Sequence, residues 1–147
     1  MRVTGAALIV AAFLPPILAR LGWDAAAAVV DAPWRLMCHR LPDRVLTAFG
    51  ERMPICSRCE GLVVGLGAGL LVGRPYLARQ DLLSVVAVSA FLMLAEVGTQ
   101  DAGLHPVFHP TRLLSGLLLA YPIGATASAL TQSASAVFPR DRRNRRR

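Results

Sequence analysis

The chain has 147 residues, enough for one domain, and 54% of them are hydrophobic, a high share for a water-soluble protein of this size. The apolar residues form blocks that are hydrophobic on all sides, unlike the one-sided pattern of a soluble amphipathic helix. The net charge of +7 does not indicate nucleic acid as a partner, because residues 140–147 alone hold six arginines against one aspartate.

Four apolar blocks approach the roughly 20 residues that a helix needs to cross a bilayer. They predict an integral membrane protein of the all-α class, a bundle of about four membrane-spanning helices over residues 3–21, 57–78, 82–100 and 113–131. Arg74 and Pro75 interrupt the second block, so its signal is the weakest. The first block could instead be a signal peptide, but no small-x-small cleavage site follows it.

The segment 22–56 between the first two predicted spans is a polar loop with one alanine-rich part. Residues 25–31 are predicted to form a short helix that Pro33 ends. The flanking Trp23 and Trp34 are typical of an aromatic belt, so this helix is expected to lie along the membrane surface.

Small residues recur at every fourth position in the second and fourth predicted spans. The first row is Gly61, Gly65, Gly69 and Gly73, and the second is Gly116, Ala120, Gly124 and Ser128. Each row puts small side chains on one helix face, where another backbone can approach closely. We predict packing surfaces, which could also support a homo- or hetero-oligomer.

The distribution of arginines predicts the orientation of the chain. Arg2, Arg74, Arg79 and the tail 140–147 lie at one end of the predicted spans, whereas the loop 22–60 balances five arginines with five acids. By the positive-inside rule, both termini lie in the cytoplasm and the Cys/His loops lie outside the cytoplasmic (inner) membrane. The tail is then also suited to contact anionic lipid.

The cysteines of the chain all lie in this outer loop. Cys38 precedes His39, and Cys56 and Cys59 form a Cys-x-x-Cys pair at the start of the second predicted span. The helix dipole and Arg58 both favour a thiolate there, and a thiolate is the form that binds metal or attacks a disulfide.

Three interpretations of these cysteines remain open. In the first, the three thiolates bind zinc or another transition metal, with His39, His105 or His109 as a fourth ligand. In the second, Cys56 and Cys59 are the redox pair of a thiol–disulfide oxidoreductase that exchanges with the third cysteine and reduces a membrane quinone. In the third, the cysteines form a structural disulfide, although three cysteines leave one unpaired. Metal binding is favoured, and a non-catalytic assembly partner is a further possible class.

Glu96 lies within the third predicted span, about one turn from its outer end. An acid at this depth is costly unless it faces a polar interior. Arg58, Arg112 or a metal could neutralise it, or its side chain could extend to water at the interface. Other polar residues on the same side complete the predicted cluster: Arg40, Arg44, Asp101, His105 and His109.

Several of these residues form motifs that resemble those of a known family. The motifs are Cys38-His39-Arg40-x-Pro42-x-Arg44, Pro54-x-Cys56-x-Arg58-Cys59-x-Gly61 and Arg112-x-x-Ser115-Gly116. They resemble the small bacterial and archaeal membrane proteins of domain-of-unknown-function family 2085, over roughly residues 34–124. The resemblance implies a membrane fold and marks the motif residues as important, but it implies no known reaction. At position 60 this chain has glutamate, where a threonine or another small polar residue is more usual.

Overall fold

The computed structural model describes residues 1–73 and 77–137. Arg74 and the arginine tail at 140–147 lie outside the described residues. The elements in chain order are α1 (Arg2–Arg20), α2 (Asp24–Met37), a 3-10 turn (Pro42–Arg44), β1 (Val45–Ala48), β2 (Glu51–Cys56), α3 (Ser57–Val72), α4 (Arg79–Asp101) and α5 (His109–Val137).

Three of the described helices, α1, α4 and α5, are long and apolar enough to cross a membrane. They lie where the first, third and fourth spans were predicted. α5 begins at His109 rather than at residue 113. Pro110 fits this start because the first turn of a helix needs no amide donor from it.

α3 lies where the second span was predicted, but it ends at Val72 instead of residue 78. Gly73 follows with a φ of 66°, a left-handed conformation that glycine adopts without strain. The amide of Gly73 donates to the carbonyl oxygen of Gly69 and closes the last turn. The 16 residues of α3 rise about 24 Å, less than the roughly 30 Å of a hydrocarbon core.

The two rows of small residues pack on each other. The facing pairs are Gly61 with Leu113, Gly65 with Leu117 and Gly69 with Tyr121, so α3 and α5 run parallel. A Cβ placed on Gly65 would lie 2.8 Å from the carbonyl oxygen of Leu117, and Gly116 and Gly124 leave even less space against α3. The predicted packing surfaces are therefore confirmed, and both are occupied within one chain.

α1 and α4 flank this central pair. α1 runs antiparallel to α3, and a Cβ on Gly67 would lie 2.8 Å from the carbonyl oxygen of Gly5. α4 packs mainly on α5 and leaves most of its apolar surface exposed, as expected of a helix that faces lipid. The order across the bundle is α4, α5, α3 and α1.

The segment 22–56 has more regular structure than predicted. α2 continues through Pro33 to Met37, because one proline removes one amide donor without ending the helix. β1 and β2 form an antiparallel hairpin, the one departure from the all-α prediction within the described chain. Phe49 and Gly50 both have positive φ, 58° and 85°, as a type I′ turn requires.

A small hydrophobic cluster connects α1, α2 and β2 at this end of the bundle. Ala12, Trp34, Cys38 and Ile55 form it, each at most 9% exposed. Trp34 is therefore a core residue and not part of a surface belt, whereas Trp23 is 63% exposed. The prediction failed for Trp34 because α2 turns that side chain towards α1 instead of the membrane surface.

Candidate metal centre

Three separate segments bring the cysteines together. Cys38 follows α2, Cys56 ends β2, and Cys59 lies in the first turn of α3. Their Sγ atoms all lie within 4.8 Å of one another, and all three thiols are free. In a tetrahedral site with Zn–S bonds of about 2.3 Å, two sulfur atoms lie about 3.8 Å apart. Small side-chain movements would therefore bring the three sulfurs to ligand spacing.

Arg40 holds the segment that follows α2 against the hairpin. Its guanidinium donates two hydrogen bonds to the carboxylate of Asp31, one of 2.8 Å, and a third to the carbonyl oxygen of Pro54. Burial acts to raise the pKa of Asp31, but the hydrogen bonds from Arg40 and Arg35 outweigh it and hold this pKa below its usual value. The resulting ion pair fixes the chain on both sides of Cys38.

The surroundings of Cys56 favour a thiolate. The Cys59 thiol donates a hydrogen bond that lowers the pKa of Cys56 to about 4, although burial acts in the opposite direction. Cys56 also precedes the first residue of α3, where the positive end of the helix dipole stabilises an anion. The amide of Cys56 donates to the Sγ atom of Cys38 at 3.3 Å. Backbone donors of this kind orient sulfur ligands around a metal.

The histidines lie outside this sulfur cluster. In the part of the chain that the structure describes, the mutually close ligand atoms are the three Sγ atoms, with no ring nitrogen among them. His39 is exposed, and both ring nitrogens of His105 contact polar groups close to it in sequence. His109 contacts the hydroxyl of Ser57 at 3.2 Å. Of the three candidates, His109 is thus the one attached to the segment that carries Cys56.

Glu96 on α4 accepts hydrogen bonds from three side chains of other segments, in addition to one of 3.5 Å from Gln100 on its own helix. Arg58 donates to it at 3.3 Å, Thr111 at 2.7 Å and Ser115 at 3.2 Å. Arg58 is one of the two arginines that the sequence suggested as its partner. Because Arg58 directly precedes Cys59, this ion pair connects α4 to the turn of α3 that carries the cysteine.

The other two arginines of the predicted cluster have different surroundings. Arg112 is 2% exposed and donates to the side chain of Gln100, and no carboxylate of the described residues lies within ion-pair distance of it. Arg44 donates to Asp101 at 3.2 Å and so attaches the segment 22–56 to the end of α4. These contacts connect α4 to α5 and to the segment 22–56.

The sequence identified the arginines and Glu96 but not several of their partners. Asp31, Gln100 and Thr111 were not predicted as site residues. Asp31 lies nine positions from Arg40 and Gln100 twelve from Arg112. Pairs at such spacing depend on how helices pack, so no local motif marks them.

Comparisons with known proteins agree with this architecture. Residues 38–126, more than half of the chain, match the family described as predicted membrane protein (DUF2085). An uncharacterised protein of Methanocaldococcus jannaschii is 26% identical over 121 residues, which cover 76% of this chain and 77% of that protein. An uncharacterised protein of Methanothermobacter thermautotrophicus is 34% identical over 59 residues, or 37% of this chain and 53% of that protein. No solved structure matches significantly. The match confirms the expected membrane class, and the chain belongs to the DUF2085 family of membrane proteins.

Proposed function

We propose that this protein binds a divalent transition metal, zinc above all, through Cys38, Cys56 and Cys59. The observation that supports the proposal is the approach of three Sγ atoms to within 4.8 Å from three separate segments. Thiolate sulfur favours soft and borderline ions such as zinc. An ion held in this way would clamp α2, the hairpin and α3 together, so its binding free energy would stabilise the fold.

The enclosure of the cysteines supports a structural role for the metal. Cys38 is 9% exposed, and the side chains of Trp34 and Ile55 belong to the same hydrophobic cluster. Cys56 and Cys59 pack against that cluster as well. An apolar shell of this kind limits the access of water to a bound ion and strengthens its attraction to the thiolates.

The proposal includes an extracytoplasmic position for the metal site, with both termini in the cytoplasm. Arg2 begins α1 and Arg79 begins α4, and both helix starts lie at the end of the bundle opposite the cysteines. Positive residues at that end favour its retention in the cytoplasm. The arginine tail 140–147 would then be available to anionic lipid on the inner leaflet.

Labelling of intact cells with a membrane-impermeant thiol reagent tests the metal and the orientation together. We expect little labelling before treatment with an impermeant chelator and labelling of the cysteines after it, because bound metal protects thiolates. Labelling that needs cell lysis would contradict the orientation. Labelling of equal extent with and without chelator would contradict the metal site.

A redox function is the second candidate, and the asymmetric pair Cys56–Cys59 favours it. The hydrogen bond from the Cys59 thiol lowers the pKa of Cys56 and favours its thiolate, as in reactive Cys-x-x-Cys motifs. Oxidation of this thiolate–thiol pair to a disulfide would release two electrons and one proton, and with a second proton taken from water these would reduce a membrane quinone to its quinol. A cavity of about 320 Å³ between α4 and α5, with Glu96 among its lining residues, has the size of a small-ligand site. Protein isolated from cells without bound metal and with Cys56 and Cys59 joined in a disulfide would favour this function.

A further inference from the structure

The proposed metal site leaves its fourth ligand open. Zinc bound by protein side chains alone takes four ligands in tetrahedral geometry. Three come from the cysteines, and no histidine nitrogen of the described residues joins the sulfur cluster. His109 is the histidine that contacts the segment carrying Cys56, and its Nδ1 atom is hydrogen-bonded to the hydroxyl of Ser57. A different side chain must therefore be considered.

Glu60 is a buried acid without a partner. It is 2% exposed, and neither of its carboxylate oxygens has a hydrogen-bond donor among the described residues. Glu96 on α4 is instead paired with Arg58 and two hydroxyl groups. A buried carboxylate is costly unless it is paired or coordinates a metal. Glu60 therefore has free ligand atoms in a buried position, where a bound cation would stabilise the carboxylate.

The position of Glu60 directs it towards the cysteines. It directly follows Cys59 and lies four residues after Cys56, a spacing that puts two side chains on one helix face. Helical side chains also lean towards the N-terminus of their helix, and here that end carries Cys56. The carboxylate oxygens lie outside the 4.8 Å sulfur cluster, so ligation requires rotation about the Glu60 side-chain bonds.

We infer that Glu60 is the fourth ligand, giving a site of three thiolates and one carboxylate. This inference rests on the proposed metal function and identifies the donor that completes it. Four protein ligands leave no open position, which is typical of structural zinc sites. The added oxygen ligand shifts the preference of the site from copper(I), which favours sulfur alone, towards zinc(II) and cobalt(II).

Cobalt(II) bound to the purified full-length protein is a direct probe of the ligand set. The wild type should show sulfur-to-cobalt charge transfer and the intense d–d bands of a tetrahedral ion. Glu60→Gln should retain the charge transfer of three thiolates, shift the d–d bands, and weaken zinc binding by about tenfold or more in competition with a chelator. Glu51→Gln makes the same chemical change in β2, outside the proposed ligand set, and should bind metal like the wild type.

Glu60→Cys provides a test that does not depend on loss of binding. A fourth thiolate in place of the carboxylate should preserve zinc binding and increase the charge-transfer intensity of bound cobalt. Wild-type spectra and affinity in Glu60→Gln would overturn the inference while leaving the cysteine site intact. Loss of binding in His109→Ala but not in Glu60→Gln would assign the fourth position to the histidine. If the wild type binds neither cobalt nor zinc, the proposed function itself fails.

Discussion

Replacement of Cys38 by serine is expected to abolish metal binding as completely as replacement of Cys56 or Cys59. The three thiolates act on one ion, and a missing ligand leaves an open and much weaker site. The Cys38 sulfur also accepts a hydrogen bond of 3.3 Å from the Cys56 amide. Cys38 is therefore part of the cluster, even though it lies 18 residues before Cys56 in sequence. The measurement is metal bound per chain for each purified variant.

The redox alternative predicts a different order of effects for the same variants. Cys56 and Cys59 would still form their disulfide in Cys38→Ser, and only exchange with a further partner would be lost. Full metal occupancy in Cys38→Ser would contradict a site of three cysteines. A disulfide that survives in Cys38→Ser and disappears in the other two variants would support the redox pair.

The second large effect is expected for Gly65→Leu, which should prevent normal folding of the bundle. A Cβ at this position would lie 2.8 Å from the carbonyl oxygen and 2.9 Å from the Cα atom of Leu117. Because these are backbone atoms, α3 and α5 must separate along their contact, at a cost of about 3 kcal/mol or more. The measurement is the yield of monodisperse protein in detergent together with its resistance to denaturant.

Gly98 offers a matched control for this substitution. It lies in α4, and a Cβ there would meet nothing within 4 Å. Gly98→Leu should therefore leave both yield and stability close to those of the wild type. Equal tolerance of leucine at both positions would show that the glycine row reflects composition and not packing.

The long helices were predictable because a lipid environment constrains nearly every residue along them. α1, α4 and α5 each carry a run of apolar residues close to the length that a bilayer requires. The glycine rows were equally clear, since a repeat of four residues places them on one face. The early end of α3 at Val72 follows from Gly73 and Pro75, signals that were present in the sequence but were outweighed by the continuing apolar run.

The hairpin was not predictable from its local pattern. Its turn is formed by Phe49 and Gly50, whereas the strong sequence signal for a type I′ turn is Asn-Gly or Asp-Gly. Its strands do not alternate apolar and polar residues, because β2 packs on α1 and α2 with consecutive buried residues: Met53, Pro54 and Ile55. Only the packing of the whole end of the bundle reveals this element.

The candidate site was predictable in part. The Cys-x-x-Cys spacing and the polar loop predicted Cys56 and Cys59 as neighbours, and the shared loop suggested Cys38. The sequence spacing could not show whether a histidine ring reaches the cysteines, because the direction of each ring depends on how the helices and loops pack. The burial of Glu60 was hidden as well, since its neighbours in sequence do not show which face of α3 is buried.

The metal content of the protein as isolated is the most direct test of this account. Elemental analysis of the purified wild type, combined with a count of reactive thiols before and after chelation, measures occupancy and protection together. We expect one divalent metal ion per chain, no reactive thiol while the metal is bound, and three reactive thiols after its removal. Metal-free protein with a reducible bond between Cys56 and Cys59 would contradict the account and support redox chemistry instead.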